Sequence, residues 1–358
     1  MTNMKRKTYK KKNIYIERIS KLKILRNLIF SDRCNLRTVN KDFNNIFKEY
    51  KHEKTVYGNY NKNINYGEYK NIIFVLNNFD KQLIIVPNNV YIYNVKNKKI
   101  QNSNLTILLE LGNVHTLYLK YLPNLKELPS ELGNVHTLYL RYLPNLKELP
   151  SELGNVHTLE LYSLINIKEL PLELGHVHNI TLIYLPKLKK IPSELGNIHT
   201  LTLRDLPKIT ELPSELGNVH TLSLYFLSNI KELPSKLGNV HTLELQHLKN
   251  LKELPSELGN VHSLTLNNLP KIKELPSELG NIHYFSLNDL PKITELLSVL
   301  GNVHSLILNN LPYLKELPPE LGNVHNISLR ILPKIRELPL EFKNIKNLIN
   351  YDNIPFKQ

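Results

Sequence analysis

The chain has 358 residues, with 46 lysines and arginines against 32 aspartates and glutamates, one cysteine, no tryptophan and no alanine. A lone Cys34 forms no internal disulfide, so a disulfide-stapled secreted scaffold is excluded and a reducing compartment is expected. The most apolar early stretch, 14–30, is interrupted by Glu17, Arg18, Lys21, Lys23 and Arg26, which argues against a signal-peptide core or a membrane span there.

The positive charge sits at one end: residues 1–110 hold 22 basic and 8 acidic residues, whereas 111–358 hold 24 of each. In chain order, Lys5, Arg6, Lys7, Lys10, Lys11 and Lys12 make 1–13 a basic tail, expected to be disordered and readable as a nuclear-import signal. The expected location is therefore the cytoplasm or the nucleus. Over 14–54 apolar residues recur at helical spacing: Leu22, Leu25, Leu28 and Ile29, then Leu36, Val39, Phe43, Ile46 and Phe47, with Ser31 or Asp32 placed to cap the second segment. Leu36, Val39, Lys41, Phe43 and Ile46 have the spacing L-x-x-V-x-K-x-F-x-x-I and resemble the second half of an F-box. That resemblance implies that Leu36, Val39, Phe43 and Ile46 hold a ubiquitin-ligase adaptor. The Leu-Pro pair and acidic residue that open an F-box are absent, and an amphipathic helix pair capping the repeats that follow would show the same spacing. Residues 55–110 are rich in Asn and Tyr, with apolar runs at 72–76, 83–86 and 90–95. Pro87, Asn88, Asn89, Val90, Tyr91 and Ile92 look like a decayed copy of the later repeat, which makes this stretch the expected N-terminal cap.

From 111 to 342 glycine recurs every 21 residues, from Gly112 to Gly322, and a histidine follows each at the third position, from His115 to His325. The aliphatics of one copy are Val114, Leu117, Leu119, Leu122, Leu125, Leu128 and Leu132. Alternation around Leu117 and Leu119 predicts a short strand that buries both leucines and turns Thr116, Tyr118 and Lys120 to the other face. Pro123 lacks an amide hydrogen and should end the ladder. The return from Leu125 to Leu132, with Pro129 inside it, suits an extended, polyproline or 3₁₀ path, and Gly133 with Asn134 is the expected positive-φ turn. Burying seven aliphatics cannot offset the entropy of ordering 21 residues, so the copies must stack. Residues 343–358 lose the Gly and His but keep the spacing, and read as a C-terminal cap.

The V-x-x-L-x-L segment, Leu122, Leu125 and the LPxxLGN segment resemble the leucine-rich repeat family. The resemblance implies a β/irregular solenoid, a horseshoe of about eleven coils with a parallel concave sheet, preceded by a small helical or mixed region. The family usually has Asn or Cys where Leu122 stands, so Asn113 or His115 is expected to supply the missing backbone hydrogen bonds. The family also implies a protein partner on the concave face. The exposed columns vary while the leucine columns do not, and they gather Tyr118, Lys120, Tyr121, Tyr139, Arg141, Tyr142, Tyr162, Tyr184, Arg204, Tyr225 and Phe226 into a predicted contact surface. Relaxed selection on exposed positions would also let such columns vary.

A run of neutral imidazoles could chelate zinc or copper, yet no Asp, Glu or Cys recurs beside it. A structural ladder from imidazole to neighbouring backbone is expected instead, and no metal or cofactor is assigned. Leu297 and Val299, in place of the usual Pro and Glu, read as drift. No GxGxxG, Walker loop, HExxH or GxSxG occurs, so no catalytic residue is assigned and the chain reads as a non-enzymatic interaction module. Nucleic acid is disfavoured as a partner because the repeats are neutral, and no membrane contact is expected. The F-box-like head, amplified repeats and Lys, Asn and Ile excess resemble repeat proteins of giant amoeba-infecting DNA viruses, of mimivirus type. Together they imply a substrate receptor of a cullin-type ubiquitin ligase, with a structural or virion-associated scaffold as the alternative.

Overall fold

A computed structural model of the chain describes the backbone of 55–58, 71–75 and 89–93, and residues 115–357 apart from 124, 236, 238, 257, 259, 260, 278, 280 and 281. The chain divides into two compact units, Met1–Lys98 and Lys99–Gln358. In the first, strands β1 (Thr55–Gly58), β2 (Asn71–Val75) and β3 (Asn89–Tyr93) pair in parallel, Thr55 opposite Asn71 and Asn71 opposite Asn89. Residues 72–75 and 90–93 of two of the apolar runs thus lie in strands. The F-box-like residues Leu36, Val39, Phe43 and Ile46 lie outside the described residues.

The second unit is a leucine-rich-repeat solenoid. Twelve parallel strands, from β4 (Thr116–Lys120) to β15 (Asn347–Asn350), follow one another in chain order with a constant register. Thr116 lies opposite Thr137, Thr137 opposite Thr158, and so on to Asn326 opposite Asn347. The period-two leucines explain the strand: Leu117 and Leu119 are buried while Thr116, Tyr118 and Lys120 are half-buried on the opposite face. Leu125 donates its amide to the Leu122 carbonyl at 3.1 Å, turning the chain off the sheet. An extended segment buries Leu125 and Leu128, and a 3₁₀ turn, Ser130–Asn134, buries Leu132 before Val135 re-enters the core. The seven aliphatic columns form the continuous interior that single copies lack.

Two local expectations are corrected. The residue after each strand, not Gly133 or Asn134, carries the positive φ, with values of 51–57° from Tyr121 to Ile331. Its amide still reaches the neighbouring coil, as Tyr121 N–H donates to the Arg141 carbonyl at 3.1 Å, so the ladder runs one residue past the strand. The glycine is needed for clearance: a Cβ on Gly133 would lie 2.3 Å from the Glu152 carbonyl oxygen of the next coil, and one on Gly196 would lie 2.3 Å from that of Glu215. Nor does His115 replace the family asparagine, its Nδ1 lying 3.1 Å from the Thr116 hydroxyl. Residue 113 lies outside the described residues, and the work is done two positions after the Leu122 column, where Asn166, Asn229 and Asn250 donate to the carbonyls of Pro144, Pro207 and Ser228 at 2.5, 2.5 and 2.7 Å. Asn145 does the same to Pro123.

At the far end the chain folds back on its last coil. Leu338 N–H donates to the Pro355 carbonyl at 2.7 Å and Lys357 N–H to that of Leu338 at 2.8 Å. Asn350, in a core-leucine column, accepts the Ile354 amide and donates to its carbonyl at 3.2 and 2.9 Å.

Candidate functional site: the open face of the strand array

Odd positions of each strand face away from the leucine core, so the constant register lines their side chains up from coil to coil. At the early coils the predicted residues meet. The Tyr118 and Tyr139 rings stack at 4.1 Å and 2°, and Tyr121 stacks on Tyr142 at 4.7 Å. Lys120 lies 4.8 Å from the Tyr121 ring and 5.6 Å from that of Tyr142, while Tyr162 meets Tyr142 edge-on at 4.9 Å. Arg141 sits 5.6 Å from the Tyr139 ring and forms a two-pronged pair with Glu160, Nε to Oε1 at 2.6 Å and a terminal nitrogen to Oε2 at 3.0 Å. Burial alone would lower the Arg141 pKa, but the hydrogen bond and charge of Glu160 outweigh it and the net shift is upward.

A second group forms three coils further on. Arg204 lies 5.2 Å from the Phe226 ring, which stacks on His247 at 4.3 Å, and the Tyr225 hydroxyl donates to Glu244. Desolvation, reinforced by that carboxylate, raises the Tyr225 pKa. Tyr184 lies between the groups, flanked in its column by Ser163 and Asp205, and joins neither. Glu160 and Glu244 are the side-chain partners that sequence reading did not select. Each lies 19 residues after its partner, the diagonal neighbour in an array of 21-residue offset, which is the signal that points to them.

Tyr121, Tyr142, Tyr184 and Phe226 occupy the left-handed position, at φ 52–57°, where Asn and Asp pay least and bulky residues are outliers. Tyr121, Tyr184 and Phe226 are also 38–43% exposed, so burial does not compensate. The same backbone position holds Asn268, Asp289 and Asn310 in later coils. There the open face is closed among small polar groups: Asn309 donates to Asn288 at 3.2 Å, Asn288 to Ser286 at 2.7 Å, and Asn310 to Asp289 at 2.5 Å.

Beside the start of the strands, the eleven imidazoles from His115 to His325 form one unbroken stack with centroids 4.4–4.9 Å apart. The expected imidazole-to-backbone bond is replaced by ring-on-ring contact, with Nδ1 3.1–3.4 Å from the following threonine hydroxyl at His115, His136, His157, His220 and His241. Desolvation against adjacent rings, then their charge, lowers the pKa of His136, His178, His220, His262 and His304. Among the described residues no three His, Cys, Asp or Glu side chains are grouped to hold a metal ion, and no helix is long and apolar enough to cross a membrane.

No protein-family model matches the sequence, and no curated protein matches it. Solved leucine-rich repeat structures resemble the fold. A leucine-rich repeat protein of Leptospira interrogans is 22% identical, with TM-score 0.40 over 79% of this chain and 83% of that one. The leucine-rich repeat domain of the type III effector XopL is 20% identical, with TM-score 0.39 over 71% of this chain and 85% of that one. The Arabidopsis receptor kinase HAESA, solved with the peptide hormone IDA and a co-receptor, is 22% identical, with TM-score 0.42 over 82% of this chain and 56% of that one.

Proposed function

We propose that this chain is a non-enzymatic recognition protein whose early coils bind a protein partner on the open, concave face of the sheet. One observation carries the reading: Tyr121, Tyr184 and Phe226 stay exposed in a left-handed backbone position that Asn fills at lower cost in later coils of the same chain. Tyr118, Lys120, Tyr139, Arg141, Tyr142 and Tyr162 add a pre-stacked aromatic and cationic surface, whose rings bind at small entropic cost because they are already ordered. Tyr184, Arg204, Tyr225 and Phe226 extend it.

The finer proposal makes the chain a substrate receptor of a cullin-type ubiquitin ligase in the cytoplasm or nucleus of a host cell. Leu36, Val39, Phe43 and Ile46 hold the adaptor and the concave face holds the target. Affinity capture from host-cell lysate tests both parts. The full chain recovers cullin and adaptor subunits, and Phe43→Ala loses them. Replacing Tyr121, Tyr142, Tyr184 and Phe226 with Asn loses the target and keeps the adaptor. Adaptor recovery by Phe43→Ala defeats the ligase role, and an unchanged capture profile from the four-Asn variant defeats the concave-face role and leaves a scaffold.

A further inference from the structure

We propose a second binding site, on the flank of the late coils, for an acidic peptide segment carrying one aromatic or large apolar side chain. A groove of about 780 Å³ runs across four coils here, a volume ordinary for ligand sites. Its shape comes from three departures from the repeat that fall together. Ten places after the first strand residue, most coils carry a basic side chain, as at Lys252, Lys273, Lys315 and Arg336, but Thr294 is short and opens the row between Lys273 and Lys315. Three residues on, Leu297 replaces the usual proline. In the next coil Tyr313 replaces the Asn or Lys of its column, stands 52% exposed, and has the Lys334 ammonium 4.6 Å from its ring. Drift would scatter such changes along the array; here all three line one cavity. Thr210 provides the internal contrast, since its coil keeps Pro213 and is followed by Asn229.

The chemistry of the walls specifies the ligand. Four lysines, Lys273, Lys292, Lys315 and Lys334, face two carboxylates, Glu274 and Glu295, leaving two positive charges in excess. Ion pairs among the described residues join Arg141 to Glu160 and Lys357 to Glu337, and none of these four lysines has a carboxylate of a described residue within bonding distance. Leu297, Pro291 and the Tyr313 ring offer an apolar surface between them. Lys273 and Lys315 come from coils two apart, about 10 Å at the ordinary strand spacing, which three residues of extended chain span. An extended segment therefore sets its carboxylates on the lysines and one ring beside Leu297 and Tyr313.

Fluorescence anisotropy with a labelled, end-capped Glu-Asp-Phe-Asp-Glu peptide and the full chain tests this. Saturable binding is expected, and Thr294→Lys, which restores the column found in sister coils, weakens it about tenfold although it adds a positive charge. Tyr313→Asn, also a sister-coil residue, weakens it about fivefold. Thr210→Lys and the four-Asn concave variant leave it unchanged, which separates this site from the one proposed above. Equal or tighter binding to Thr294→Lys overturns the proposal as bulk attraction of anions. So does equal affinity for a peptide with alanine in place of phenylalanine, or with amides in place of its carboxylates.

Discussion

The early and late coils share a backbone and differ in what they offer to solvent. Register, the buried leucine columns and the left-handed residue at φ 51–57° run through both. Yet the early face is built of stacked rings and cations, and the late face, from Ser286 to Asn310, largely of amides and hydroxyls bonded to one another before the exposed Ile331. Several polar groups of the late face bond to one another, although the Asn309 Oδ1 is buried without a partner among the described residues. The early face keeps exposed rings at a backbone cost, and backbone requirements alone therefore do not dictate its composition.

The largest expected effect tests whether the two halves share one framework. Gly196→Ala should destabilise the solenoid by about 3 kcal/mol, because the new Cβ meets a backbone carbonyl that cannot swing aside. Gly322→Ala should cost a similar amount, since the new Cβ would lie 2.6 Å from the Glu341 Cβ and 2.8 Å from its backbone carbonyl, neither of which can rotate away. Urea titrations followed by circular dichroism measure both, and a wild-type midpoint for either variant would show that glycine is not acting as a spacer.

A smaller effect sharpens the contrast between faces. Tyr184→Asn should stabilise the fold by about 1 kcal/mol, and the reciprocal Asn268→Tyr should destabilise it by a similar amount, since the left-handed residue costs less as asparagine. Thermal melts that move both variants the same way would remove the strain argument from the early face.

The smallest effect, ring by ring, is protonation of the histidine stack, which crosses both halves alike. Folded-state pKa values below the ordinary 6.5 mean that the unfolded chain takes up protons first. Stability is complete above about pH 6.5 and falls as pH drops through the lowered values. Replacing His178 and His220 with Gln should flatten that fall, and an identical slope in wild type and variant would assign it to other groups.

The 21-residue period, the alternating Leu117 and Leu119, and the proline-containing return determine strand, core and turn through local rules, and these were legible. So were the aromatic and basic columns as columns. What the sequence did not disclose depends on which atom of one coil faces which atom of the next. Gly133 looks like a turn residue until Glu152 is seen above it. The left-handed position carries Tyr, Ser, Asp, Phe, His, Asn and Ile in turn, so composition hides it. Asn166 reads as an ordinary polar turn residue until its amide is seen on the Pro144 carbonyl, and Glu160 becomes a partner of Arg141 only through the diagonal of the sheet.

The glycine contact also governs how such a molecule can change in size. Because each coil rests on its neighbour without slack, a one-residue insertion would put the glycine at the junction it interrupts under the wrong carbonyl, whereas gaining or losing a whole copy leaves each junction as it was. Length is thus a heritable dial that turns only in complete clicks, and the gap between the two proposed docking surfaces can be reset by copy number without redesigning either one.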